Sequence, residues 1–189
     1  MSNISAILTR GAAAGLLLTL ICASTAGAQA FRTESGHVAF HSSVPLHAFT
    51  GTSETLNGRI SLADSTVDFY VDLITLETGI AKRDKDMRQT LETEEHPFAE
   101  FYGKLTTPVN LQAEGAQQVS AEGTFTIHGI SREITVEGTL NRTPEGLAVE
   151  ASWTLNMTDY DIKPPGILFY RVSEEIEIEL QATLQPENN

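Results

Sequence analysis

Cysteine is almost absent from this chain: of 189 residues, only Cys22 is one. It lies in an N-terminal apolar segment that reads as a removable leader, so the chain beyond it has no thiol. That excludes disulfide bonds, thiol catalysis and thiolate metal ligation, and leaves burial of apolar surface to hold the fold together. Basic residues are scarce as well. Twelve Lys and Arg stand against 25 Asp and Glu, for a formal net charge of −13. Phosphate backbones and anionic membrane surfaces both require clustered positive charge, so no nucleic-acid partner is expected. Also missing are the signatures of phosphate loops, dinucleotide-binding turns and nucleophile elbows. Neither a cofactor nor an enzymatic reaction is expected on those grounds.

Apolar runs long enough to span a bilayer are missing too. The most apolar, from Ala12 to Ala23, is about twelve residues long, against the roughly twenty that a hydrocarbon core requires. Arg10 is the only charge before Cys22, and Ala28-Gln29-Ala30 has the small-x-small pattern of a cleavage site. Residues 1–30 therefore read as a secretory signal removed after Ala30, which implies a periplasmic or secreted protein with no stable membrane insertion. Lipid attachment at Cys22 is disfavoured by Ile21, where such sites take a small residue. Without Arg10 the chain carries 11 basic and 25 acidic residues, a net charge near −14.

What the remaining chain has in quantity is period-two alternation. Eight runs place an apolar residue at every second position, at 37–44, 54–62, 66–76, 98–105, 119–127, 133–140, 147–157 and 173–184. Each reads as a strand with one apolar and one polar face. The connections are short, so antiparallel meander pairing in one domain, 31–184, is the expected topology, with 185–189 as a disordered tail. One apolar sheet face can be buried by forming a sandwich or by closing into a barrel. Glycines inside the runs, at Gly58, Gly103, Gly123 and Gly138, favour the strong coiling that closure needs. The expected class is all-β: an eight-stranded antiparallel barrel with one short helix covering an end. An eight-stranded barrel encloses packed side chains or one small ligand.

That helix is the stretch that breaks the pattern. In "KRDKDMRQTL", residues 82–91, Met87 and Leu91 stand four apart, which is helical spacing. They are expected to face the barrel, with Lys82, Lys85, Asp86 and Gln89 facing out and Asp84 serving as the N-terminal cap. His96-Pro97 then forces extended chain before the next strand. Two readings stay open: a structural plug, or a lid over a ligand. Arg83 is open in the same way, between a contact with a ligand headgroup and an ion pair with Asp86 or a neighbouring glutamate.

No metal site is expected. His37 and His41 share one strand face but fall opposite Val38 and Phe40, hence towards solvent, and His47 follows as the third member of the cluster. "ETEE" at 92–95 and "EEIEIE" at 174–179 offer oxygen to a hard cation, but in the second the alternation is that of a solvated strand face. His128 in "TIHG" reads as a turn residue, with no nucleophile beside it to suggest catalysis.

Taken in order, "TGIAKRD", the short helix, "EEHPFAEFYGKL" and "GTFTIHGISREITVEGTL" resemble the YceI-like family of secreted bacterial proteins. Thr78, Gly79, Arg83 and Asp84 occupy the first motif of that family, Pro97 and Phe101 the second, and Thr126, Ile127, His128 and Gly129 the third. The sequence departs from the pattern where "MRQTLETEEHP" lacks an aromatic pair. The resemblance implies a lipocalin-like barrel holding a long-chain apolar small molecule, such as a polyisoprenoid, quinone-like or fatty-acid-derived lipid, for transport, storage or sequestration. On that basis Phe40, Phe69, Val71, Phe101, Phe125 and Trp153 are expected to line a continuous internal space. Arg83, Met87 and Leu91 are expected at its mouth. Dimerisation is left open.

Overall fold

The computed structural model describes residues 30–42, 48–163, 166–167, 170–171 and 173–187. Residues 1–29 of the expected leader and His47 lie outside the described residues, while Ala30 is the first residue of a strand. Eight strands close into a barrel, β1 (Ala30–Ser42), β2 (Phe49–Ser61), β3 (Thr66–Asp72), β4 (Phe98–Leu105), β5 (Ala116–Ile127), β6 (Ile130–Thr143), β7 (Gly146–Asn156) and β10 (Glu175–Pro186). Two short strands between β7 and β10, β8 (Gly166–Ile167) and β9 (Tyr170–Arg171), pair only with each other. In the barrel every strand is antiparallel to its sequence neighbours, and β1 closes the circle by pairing with both β2 and β10. This is the meander that short connections dictate, and closure leaves no sheet edge to protect.

Alternation sets which side chains go inside. In β10, Ile176, Leu180 and Leu184 are buried while Glu175 and Glu177 are exposed. Close approach of two strands explains Gly103 and Gly123, which face each other across β4 and β5. A Cβ on Gly103 would lie 2.4 Å from the Glu122 carbonyl oxygen, and one on Gly123 equally close to that of Tyr102.

Several boundaries differ from the sequence reading. The third strand ends at Asp72, and Leu73–Thr75 turns as a 3-10 helix in which the Asp72 side chain accepts from the Ile74 amide. The tail expected from residue 185 is still strand at Gln185 and Pro186, and the Glu187 amide donates to the Ala30 carbonyl. The helix, α1, spans Ala81–Thr90, and Asp84 is not its cap. Ile80 holds that position without a side-chain hydrogen bond, while Asp84 is buried within the first turn and accepts from the Thr78 amide at 2.8 Å. A carboxylate there also suits the positive end of the helix dipole.

The chain lays α1 across the barrel end formed by the last residues of β3, β5 and β7 and the first residues of β4, β6 and β10. The opposite end carries Ala30, Pro186 and the turn at 144–145. There Phe31 and Leu147 are 1% exposed and Leu184 0%, so that end is a closed floor.

Candidate binding cavity

Above the floor lies a cavity of about 720 Å³. Its walls come from every barrel strand and its roof from Leu73, Leu76, Met157, Ile162 and α1. Phe40, Phe69, Val71, Phe101, Phe125 and Trp153 all line it, as do Arg83, Met87 and Leu91. The structure thus brings these nine residues around one space. Exposed Ile80 and Lys82 are also in the lining, which sets the opening beside the first turn of α1.

Two wall aromatics lie flat because the residues beside them have no side chain. A Cβ on Gly51 would fall 2.1 Å from the Phe40 ring, and one on Gly58 equally close to the Phe69 ring. Each glycine therefore lets an aromatic ring cover its neighbouring strand while space remains beyond it. Phe125 packs edge-on against Trp153 and against Tyr160, with ring centroids 5.7 Å apart in both pairs. The Tyr160 hydroxyl is pushed above its ordinary pKa by burial and by the nearby Asp159 charge. Trp153 stands where the β6–β7 ladder stops, just past the Glu137–Ser152 pair. Its indole Nε1 is buried and has no hydrogen-bond partner among the described residues.

The roof is held by the residues flanking α1. Thr52 and Glu77 exchange two backbone hydrogen bonds of 2.9 Å, pinning the incoming chain to β2. Gly79 takes φ +74°, a left-handed conformation that costs glycine little. Thr78 donates to Asp84 through its amide and its hydroxyl, and these bonds, with the charges of Arg88 and Arg83, hold the Asp84 carboxyl below the usual carboxylate range. Arg88 reaches from the last turn to the Ile74 carbonyl at 2.9 Å, and the Pro97 carbonyl accepts from the Leu73 amide at 2.8 Å. Thus the T-G-x-x-x-R-D and H-P segments are the joints that fix the helix over the opening.

Arg83 forms no ion pair among the described residues. Its guanidinium lies 4.5 Å over the Phe49 ring at the mouth, and Asp86 pairs instead with Lys82 at 2.9 Å. Lys82 and Asp86, expected to face away, sit on the rim of the opening. Sequence reasoning missed Phe49, Leu73, Leu76, Ile80, Met157 and Ile162 as lining. Phe49 had a findable signal, a phenylalanine two residues ahead of an inward glycine.

His37 and His41 are on the outer wall as expected. Acids from the neighbouring strands face them: His37 Nδ1 is 2.7 Å from Glu54, and His41 Nε2 is 3.4 Å from Glu179. In the Ile127–Ile130 hairpin, His128 and Gly129 have φ +56° and +71°, the primed two-residue turn that the strand twist favours.

Comparison with known proteins agrees with this architecture. Residues 30–184 match a family model described as YceI-like domain. A UPF0312 protein of Pseudomonas putida is 27% identical over 142 residues, which cover 68% of this chain and 71% of that protein. Another from Vibrio parahaemolyticus is 29% identical over 140 residues, with 68% and 72% covered. Among solved structures, a polyisoprenoid binding domain from Saccharophagus degradans implicated in plant cell wall breakdown superposes with a TM-score of 0.70. Its identity is 20%, with 84% of this chain and 99% of that domain covered. BcnA of Burkholderia cenocepacia gives 0.64 at 13% identity, over 77% of this chain and 94% of BcnA. At such identities the likeness to the solved structures is one of fold.

Proposed function

We propose that this chain, which belongs to the YceI-like domain family, is a binding protein that holds the apolar tail of a long amphiphile inside its barrel. The observation that carries the reading is the 720 Å³ cavity, roofed by a helix and walled by apolar side chains. Pockets for small ligands run from about 300 to 1,000 Å³ and are mostly apolar with a few placed polar groups. A well-folded barrel has no need of an internal space, since ligand-free cores pack densely. The fold shared with a domain named for polyisoprenoid binding supports an isoprenoid or quinone-like tail.

Magnitudes favour a long tail. Burying a methylene contributes about 0.8 kcal/mol, so ten carbons give roughly 8 kcal/mol before any cost of association. Micromolar affinity alone requires about 8.2 kcal/mol net, and immobilising a ligand costs several more. More than ten buried carbons are needed for tight binding.

Charged groups gather at the rim, where Lys82, Arg83 and Asp86 border the opening. Arg83 stands at the opening, suited to an anionic or carbonyl head. The Trp153 N–H is buried without a hydrogen-bond partner among the described residues, at a cost of about 1–3 kcal/mol. Neither is an acid–base pair with a nucleophile, which supports binding without catalysis. Residues 1–30 support delivery to the periplasm or beyond.

The test is a displacement titration of a fluorescent long-chain lipid. A homologous series of competitors should bind more tightly with each added carbon until the cavity is full and then level off. Affinity independent of chain length would contradict the reading.

A further inference from the structure

We propose that Gly51 and Gly58, two glycines on the inner face of β2, determine how thick a ligand tail the chamber accepts. They do so without touching the ligand, by letting the Phe40 and Phe69 rings lie back against the wall. The inference deepens the lipid-binding reading above and rests on it.

β2 receives a ring from each side. In the ladder Gly51 stands directly opposite Phe40 of β1, and Gly58 directly opposite Phe69 of β3. Side chains in such pairs start about 4.5–5.5 Å apart, so a large one can cover a small partner. Both rings do so. A Cβ at Gly51 would overlap Cε1 and Cζ of Phe40, and one at Gly58 would overlap Cε1 and Cδ1 of Phe69. The two rings line the chamber, and the glycines beneath them do not. Phe40 is braced in turn by Phe49, edge-on with ring centroids 5.9 Å apart.

Other glycines of the wall are small for a different reason. At Gly103, Gly123 and Gly138 the atom nearest an added Cβ is a backbone carbonyl oxygen of the adjoining strand, so these three set how closely strands approach. At Gly129 it is the ring of His96, which stands edge-on to His128, and none of these three residues lines the chamber. Among the described residues, then, Gly51 and Gly58 are the glycines that lie under rings of the chamber wall.

Neither has a left-handed backbone, so alanine suits the chain at both positions and the ring is what must yield. Strand pairing holds the backbone on both sides, and the open volume lies in the chamber. Alanine at either position therefore stands a ring up into the chamber and narrows it. Glycine inside a strand weakens the strand; here it gives width. A methyl-branched tail needs more width than a straight one, and a misfit of one methylene in an apolar pocket changes discrimination by about 10–200-fold.

The test is competition of two saturated alcohols against a fluorescent long-chain lipid: hexadecanol, and phytanol, which has the same chain and head with four methyl branches. Gly51→Ala and Gly58→Ala should each lower phytanol affinity by at least about tenfold and hexadecanol affinity by no more than about threefold, with circular dichroism showing the fold intact. Thinning the ring should undo this: Gly51→Ala with Phe40→Leu, and Gly58→Ala with Phe69→Leu, should regain the phytanol-to-hexadecanol ratio of the parent. With the glycines kept, Phe69→Leu widens the chamber and should move that ratio towards phytanol, whether or not the alanine variants fold. Folded alanine variants with the parent's ratio would overturn the inference and leave the two glycines as packing partners of the rings alone. So would a Phe69→Leu ratio that stays put or moves towards hexadecanol. A parent that binds neither alcohol would remove the lipid-binding reading itself, and this inference with it.

Discussion

At the end that carries Ala30 and Pro186, Phe31, Leu147 and Leu184 fill the barrel and are at most 1% exposed. At the other end the walls are as apolar, yet Phe40, Met87, Leu91 and Trp153 are only partly buried, around 720 Å³ of open volume. The same alternation of side chains builds both. What differs is the filling, dense packing below and space above, and that difference separates stability from function. The floor contributes stability, since a fully packed side chain makes dozens of dispersion contacts. The upper chamber gives up such contacts, and a ligand tail would restore them.

Truncation at the two ends should therefore have unequal effects. Leu184→Ala is expected to cost about 2–5 kcal/mol, the range for a well-packed leucine, read from the midpoint of urea unfolding. Leu76→Ala, in the cavity roof, should cost less than half of that. Equal losses would break the comparison. Filling the chamber reverses the pattern. Ala121→Phe, on the inner face of β5, should lower lipid affinity about a hundredfold, about 2.7 kcal/mol. Stability should change by no more than about 1 kcal/mol, since overpacking costs arise in cores that are already full.

Smaller effects are expected at the mouth. Arg83→Ala should reduce affinity by about 1–3 kcal/mol for ligands with an anionic or carbonyl head and leave plain hydrocarbons unchanged, as loss of a charge-assisted bond would. Met87→Ser with Leu91→Ser should weaken binding of both kinds by about 1–2 kcal/mol, because each side chain is only partly buried and the full value is not lost. Circular dichroism should show both variants folded. Unchanged affinity in either would make α1 a plug remote from the ligand.

The smallest effect concerns acid. The folded-state pKa of Asp84 is depressed by Thr78, so the stabilisation it confers is complete above the ordinary carboxylate pKa of about 3.9. It is lost as pH falls through the lower folded value. The stability gap between the parent and Asp84→Asn should thus be constant above about pH 5 and shrink below about pH 4. A gap that widened in acid would contradict the assignment of Thr78 as the partner.

The barrel was legible in the sequence because alternation is local and each strand repeats it. Legibility failed where an inward position is small. β2 begins at Phe49, but its next inward residues are Gly51 and Ser53, which carry no apolar signal because the Phe40 ring occupies the space above Gly51. The roof was harder still. Leu73 continues the period-two alternation of Val67, Phe69 and Val71, so "LITL" reads as more strand, and only the Asp72 cap and the hydrogen bond from Leu73 to Pro97 reveal a turn. Asp84 looked like a cap from its place before the apolar pair. Its partner, Thr78, lies six residues back, beyond the reach of a helix-start rule. The His96–His128 pairing joins segments 32 residues apart and has no signature in a single sequence.

The most direct test of the central claim is native mass spectrometry of the protein purified without detergent. The account predicts a folded chain carrying one long-chain lipid, released on raising the collision energy, and lost in Ala121→Phe. A chain that emerges empty, and that stays empty after incubation with isoprenoid and quinone lipids, would contradict it.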